Sequence, residues 1–320
     1  MSSNAAVCFL LPLFAACVPA ALVCGARAFQ SLQIVDAHEH IQSAADVPKL
    51  LRAMRDTGIG KMVLLGSPRS VFFFGSDGFH DEDANNLEVL RIAKDHPGTF
   101  LAFPTVDVDD PQKVEKLLNY FDMGALGLKL YAGSTVYHTK ALDDSSMLPL
   151  YEFCERRQVP IVLHVNAGKY QEEFERVLIR FPHLKVLCPH FCMSTIASER
   201  FESLMDGHPQ LYTDISFGYT KQLNVGLKRF SKNPSKYRRL VRKYQDRVLF
   251  GTDMVVSDDA EKNAEWITRM AGVYRDLLER DEYTFFEIPG EQLRGLHLDP
   301  AILNKIYRTN FESFLAPHAP

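Results

Sequence analysis

Residues 32–40 read LQIVDAHEH: a short apolar run, then two histidines, His38 and His40, one residue apart. Seven more runs of this kind follow: Met62–Leu65, Phe100–Phe103, Leu126–Leu130, Ile161–Val165, Lys185–Pro189, Leu211–Ile215 and Val248–Gly251; the first covers Gln33–Ala37. Most are nearly continuous in apolar residues, the pattern of parallel strands covered by helices. Helix-period segments alternate with them: Asp46–Thr57 running to Gly58, Ala84–Asp95, Pro111–Phe121, Met147–Arg157, Tyr170–Arg180, Thr195–Met205, Pro234–Tyr244 and Ala260–Arg280, with a last helix from Asp299 to about Leu315. Eight strand–helix pairs in this length predict a closed (β/α)8 TIM barrel of the α/β class, a single domain over residues 29–320. An open doubly wound sheet is the alternative, but no G-x-G-x-x-G follows any strand. Two connections are long, Arg69–Asp83 and Phe217–Lys236, and long loops on one face of a barrel build sites.

Ahead of the barrel, residues 1–28 read as a leader. The first 26 residues carry no charge, and Ala26-Arg27-Ala28 fits a small-x-small cleavage site. No Lys or Arg precedes the apolar stretch. Cleaved export, periplasmic or secreted, is the first reading. An uncleaved membrane anchor is second, and lipid attachment at Cys17 is third. Three of the six cysteines lie in this segment, leaving Cys154, Cys188 and Cys192, which make no disulfide framework. Cys188 and Cys192 flank His190, yet they lack the ligands of a structural zinc and read as buried thiols.

Of eleven histidines, four stand at the C-terminal ends of predicted strands: His38 and His40 on the first, His164 on the fifth and His190 after the sixth. The eighth run ends in Asp253. In a barrel these ends meet at one rim. Positions i and i+2 of a strand share a face, so His38 and His40 can reach one ion. Burying so many polar groups together without a partner is costly. Imidazoles with a carboxylate suit Zn²⁺ first, with Mn²⁺, Fe²⁺ or Co²⁺ as alternatives.

These segments resemble the amidohydrolase superfamily, and within it the amidohydrolase-related branch of lactone hydrolases and metal-dependent decarboxylases. The resemblance rests on DAHEH (36–40), GLKLY (127–131), LHVNAG (163–168), CPH (188–190), RVLFGTD (247–253) and ILNKIYRTNFESFL (302–315). It implies that His38, His40, His164 and Asp253 hold a divalent metal. It implies that His190 is a second-metal ligand or polarises a carbonyl. Lys129, on the fourth strand, would be an amine facing an anionic substrate beside one ion, or a carboxylated bridge between two; the amine is preferred. Tyr131, Asn166, Ser216 and Tyr219 would line the substrate pocket, or satisfy backbone groups in loops.

The implied chemistry is hydrolysis of a C–O or C–N bond in a lactone, ester or amide of a small anionic substrate, with Asp253 as general base and then acid. Alternatives are decarboxylation of an unsaturated acid, or a barrel that binds ligand without turnover. The loop 72–83, with Asp77 and His80, reads equally as a lid or as outer packing. Nine basic residues between Lys228 and Arg247 lie at helical spacing in a chain of net charge -4, which argues for a solvated helix face and not a nucleic-acid surface. The expected partner is a small molecule, with membrane contact only through the leader; a homo-oligomer is compatible with the sequence.

Overall fold

The computed structural model describes residues 34–68, 82–218 and 220–317. Eight parallel strands follow the predicted order: β1 (Ile34–Glu39), β2 (Ile59–Leu65), β3 (Phe100–Phe103), β4 (Leu128–Gly133), β5 (Ile161–Val165), β6 (Val186–Leu187), β7 (Leu211–Asp214) and β8 (Val248–Leu249). Ladders join β1 to β3 and β4 to β8. Two seams close the ring. Lys129 N donates to Pro104 O at 2.8 Å and Leu126 N to Ala102 O at 3.0 Å, linking β3 to β4. Ala37 N donates to Phe250 O at 2.9 Å and Asp253 N to His38 O at 2.7 Å, linking β8 back to β1. The chain is therefore a (β/α)8 barrel.

Alternation sorts the apolar residues into two layers. Val35, Ala37, Val63, Leu65, Phe103, Val162, Leu187 and Leu249 fill the barrel, with Phe311 and Phe314 of the closing helix (Asn310–Leu315) packed among them. The other strand face packs on the helices. Helix Val47–Thr57 shows how such a helix is specified. Pro48 sits in its first turn, Val47, Leu50, Ala53 and Met54 form its buried stripe, and Gly58 ends it at φ 76°. That left-handed angle is one glycine adopts without steric cost. Each buried Leu or Met contributes about 1.5–3 kcal/mol.

One predicted loop is a helix. The Phe217–Lys236 connection contains helix Thr220–Lys232, which buries Leu223, Leu227 and Phe230. Gly226 lies inside it because a Cβ there would meet the Phe217 ring at 2.5 Å. The basic stretch that follows is paired with neighbouring acids. Lys243 reaches Glu202 at 3.1 Å and Asp206 at 2.9 Å, and Arg242 reaches Asp299 at 2.9 Å. A short antiparallel pair, β9 (Glu282–Tyr283) with β10 (Leu293–Arg294), was also not anticipated. The leader, most of the 72–83 loop including Asp77 and His80, and Tyr219 lie outside the described residues. Among the described residues no helix is long and apolar enough to cross a membrane.

Candidate metal centre

The register of β1 against β2 shifts between Asp36 and Glu39. Without that shift, the alternation that puts Val35 and Ala37 inside would carry Glu39 inward. The shift turns His38 and His40 to the site, while Glu39 is buried behind them. There it accepts hydrogen bonds from His40 N at 2.7 Å and Val255 N at 2.8 Å. Asp36 likewise accepts from His38 N at 3.1 Å and Thr252 N at 3.2 Å.

Asp253 follows β8 with φ 52°, held by its hydrogen bond to His38 O. Its Oδ1 lies 3.5 Å from His38 Nε2 and 3.3 Å from His40 Nε2, and its Oδ2 lies 3.4 Å from His190 Nε2. His190 arrives on an unusual device. His190, Phe191, Cys192 and Met193 all have φ between 52° and 59°, one left-handed turn without a glycine. Such residues cost roughly 1–2 kcal/mol each, and strain of this kind collects at functional sites. The turn lets His190 N reach Asp214 Oδ1 at 2.9 Å and swings the ring to 5.3 Å from that of His38.

The acceptors around the rings assign their tautomers. His190 Nδ1 lies 3.0 Å from Ser216 O, a group that only accepts, so Nδ1 carries the hydrogen. His38 Nδ1 lies 2.8 Å from the Asp214 carboxylate, with the same consequence. His40 Nδ1 lies 2.8 Å from Ser67 Oγ, whose own proton points to Leu65 O at 3.1 Å, so here too the ring nitrogen donates. Burial pushes the His40 pKa down to about 4, against the pull of Asp253, and burial also holds His190 below its usual range. In its Nδ1–H form each ring turns an Nε2 lone pair toward the Asp253 carboxylate. Burial alone would raise Asp253; the opposing pull of His38, His40 and His190, which holds it well below the usual carboxylate range, is that of their protonated forms. Three lone pairs and a carboxylate converging without a hydrogen between them are the donor set of a divalent cation. His38, His190 and Asp253 each offer a ligand atom within 4.8 Å of the others.

His164 lies beside this group, its ring centroid 5.2 Å from that of His190, with burial as the main cause of a pKa well below the imidazole range. Lys129 enters from β4, fully buried. Among the described residues its Nζ has no hydrogen-bond partner, and it lies 4.9 Å from the centre of the Tyr131 ring. Burial lowers its pKa to about 8, against the charges of Asp253 and Asp214. Tyr131 stands 6.4 Å from His40, ring to ring, and donates to Gly66 O at 2.8 Å. Asn166 caps helix Ala167–Arg180, accepting from Gly168 N at 3.1 Å. Ser216 is buried behind the histidines, its Oγ 2.9 Å from His190 Nδ1. The three cysteines are buried free thiols.

Sequence reasoning missed Asp214, Ser67 and Thr252. Asp214 ends a predicted strand just as His164 does, and that position was the available signal.

The fold and the site define a metal-dependent enzyme of the barrel class. The chain belongs to the amidohydrolase family: the family model described as Amidohydrolase matches residues 35–314. Comparison with curated protein sequences gives no match. Among solved structures it is similar to an uncharacterized TIM-barrel protein from Bordetella bronchiseptica, with 19% identity, TM-score 0.60, and coverage of 88% of this chain and 98% of that one. It is also similar to 2,6-dihydroxybenzoate decarboxylase from Rhizobium, with 14% identity, TM-score 0.53 and coverage of 88% and 98%. A third is an amidohydrolase from Burkholderia multivorans with bound zinc, with 12% identity, TM-score 0.59 and coverage of 88% and 98%.

Proposed function

We propose that the chain hydrolyses a C–O or C–N bond, in a lactone, ester or amide, of a small anionic substrate. The reading rests on one observation: both oxygens of Asp253 face histidine Nε2 atoms from two other segments of the barrel rim. His38, His40, His190 and Asp253 would hold the ion, with His164 beside them, and zinc suits imidazole and carboxylate donors. A bound divalent ion supplies a water whose pKa falls from near 16 to about 7. Asp253 takes a proton from the attacking water on one carboxylate oxygen and returns it to the departing oxygen or nitrogen. A tautomer with its hydrogen on Nδ1 leaves His190 no Nε2 hydrogen for a substrate carbonyl, which supports the ligand role over the polarising one. Lys129, a buried amine with no hydrogen-bond partner among the described residues, supports an anionic substrate. An amine at Lys129 would accord with one ion, and a carboxylated lysine with two. The apolar N-terminal segment supports export.

The test is a panel of lactones, esters and amides carrying a carboxylate, run with the zinc-loaded chain while carbon dioxide release is followed in the same wells. Hydrolysis abolished by chelation and restored by zinc is the expected result. Carbon dioxide release without hydrolysis moves the reading to a decarboxylase. Metal binding with no turnover across both assays moves it to a ligand-binding barrel.

A further inference from the structure

We infer that Asp214 is a positioning residue that sets two of the imidazoles at once, His38 directly and His190 through Ser216. The inference rests on the metal-centre reading and extends it to a residue outside the donor cluster.

Asp214 ends β7, and its side chain is fully buried. Oδ2 accepts from His38 Nδ1 at 2.8 Å. Oδ1 accepts from three donors: His190 N at 2.9 Å, Ser216 N at 3.1 Å and Ser216 Oγ at 2.7 Å. The Ser216 hydroxyl has one hydrogen, and Asp214 takes it. Ser216 Oγ can then only accept from His190 Nδ1, as Ser216 O does. One carboxylate therefore fixes the hydrogen of both rings on Nδ1, and it also holds the main chain at the start of the left-handed turn that carries His190. Charge alone would not need this arrangement, since a carboxylate elsewhere near the rings would lower the same energies. Occupying both oxygens with donors from three segments fixes orientation, and partners of metal-binding histidines act in this way.

Asp214→Asn keeps the shape and removes an acceptor. Where the new amide nitrogen faces His38 Nδ1, a ring hydrogen there meets a donor, and the ring must move its hydrogen to Nε2. Imidazole ¹⁵N spectra of the metal-free chain read this directly. The wild type should show His38 and His190 as Nδ1–H tautomers, and Asp214→Asn should convert His38 to Nε2–H. Titration with Co²⁺ should show affinity falling about 10–100-fold with an altered visible spectrum. Ser216→Ala, which leaves the Ser216 carbonyl in place, should lose less than Asp214→Asn.

An Nε2–H tautomer at His38 in the wild type overturns the inference without any variant, so a failure of Asp214→Asn to fold does not protect it. An unchanged tautomer, or a loss of Co²⁺ affinity below threefold, in Asp214→Asn also overturns it. If the wild type binds no Co²⁺ at all, the metal-centre reading fails, while the tautomer spectra still decide the role of Asp214.

Discussion

His40 Nε2 and Asp253 Oδ1 stand 3.3 Å apart although 213 positions separate them in the chain, because barrel closure sets the end of β8 against the end of β1. Their contact sets a carboxylate beside an imidazole whose Nε2 faces it. The proposed function gives Asp253 two uses, to hold an ion and to move a proton.

Replacing Asp253 by Asn separates these two uses. The amide oxygen still offers a ligand atom, but it does not accept a proton at neutral pH. Turnover should fall by about 10²–10⁴, while zinc content measured by elemental analysis changes much less. Equal losses of zinc and turnover would show that Asp253 acts only as a ligand.

Gly251 tests how tightly the centre is built. A Cβ there would lie 3.0 Å from His38 Cβ and 3.2 Å from Asp214 Oδ2. Gly251→Ala should therefore push the histidine and its carboxylate apart. Overpacking of this kind costs about 1–3 kcal/mol, and zinc affinity should drop with it. Denaturant midpoints with and without zinc are the measurement. An Ala variant as stable as the wild type, with full affinity, would mean that the strands part without consequence.

These residues also show where sequence reading stops. The eight strands are legible because a strand buried on both faces is written as an apolar run, and the rim histidines because the first, fifth and sixth runs end on them. Helix Thr220–Lys232 is obscured by Gly226 and Asn224, poor helix formers that suggest a loop. The reason for Gly226, the Phe217 ring, exists only in three dimensions. CPHFCMS (188–194) contains no glycine, so nothing in it announces a left-handed turn. Asp214 follows Thr213 as an ordinary turn residue would. Its meaning comes from His38, 176 positions earlier in the chain. Within DAHEH the histidines are legible, but the roles of Asp36 and Glu39 depend on Thr252 arriving from β8.

Lys129 predicts an inverse relation between function and stability. Its folded pKa of about 8 lies below the ordinary 10.5 because burial penalises the ammonium. Below pH 8 both folded and unfolded chains hold the proton, and the full burial cost, about 3 kcal/mol, is present. Between about 8 and 10.5 only the unfolded chain keeps it, so stability rises with pH across that window. Lys129→Met should therefore be more stable than the wild type at pH 7, with the advantage fading toward pH 10. Metal-free protein in chelator, unfolded by denaturant at several pH values, gives the comparison. A constant difference between the two chains would rule out a titrating amine. The same variant should bind an anionic substrate more weakly.

Glu39 offers the opposite sign. Thr252 Oγ1 lies within hydrogen-bond reach of both Asp36 Oδ2 and Glu39 Oε2. A hydroxyl has one proton to give, so one of the two carboxyls must carry its own. Burial raises Glu39 to about 8, with the charge of Asp36 adding to it, and burial raises Asp36 to about 7. The native pair therefore holds protons that the unfolded carboxyls release near pH 4.5. Stability from this pair is complete below that pH and is lost as pH rises toward 8. Glu39→Gln supplies a permanently neutral group of the same shape, with an amide that can donate to Thr252. The variant should match or trail the wild type at pH 5 and exceed it by at least about 1 kcal/mol at pH 8.5. Thermal melts of the metal-free chains at the two pH values decide the matter. A variant that is less stable at both would mean that Glu39 is ionised in the folded chain and that the proton rests on Asp36 alone.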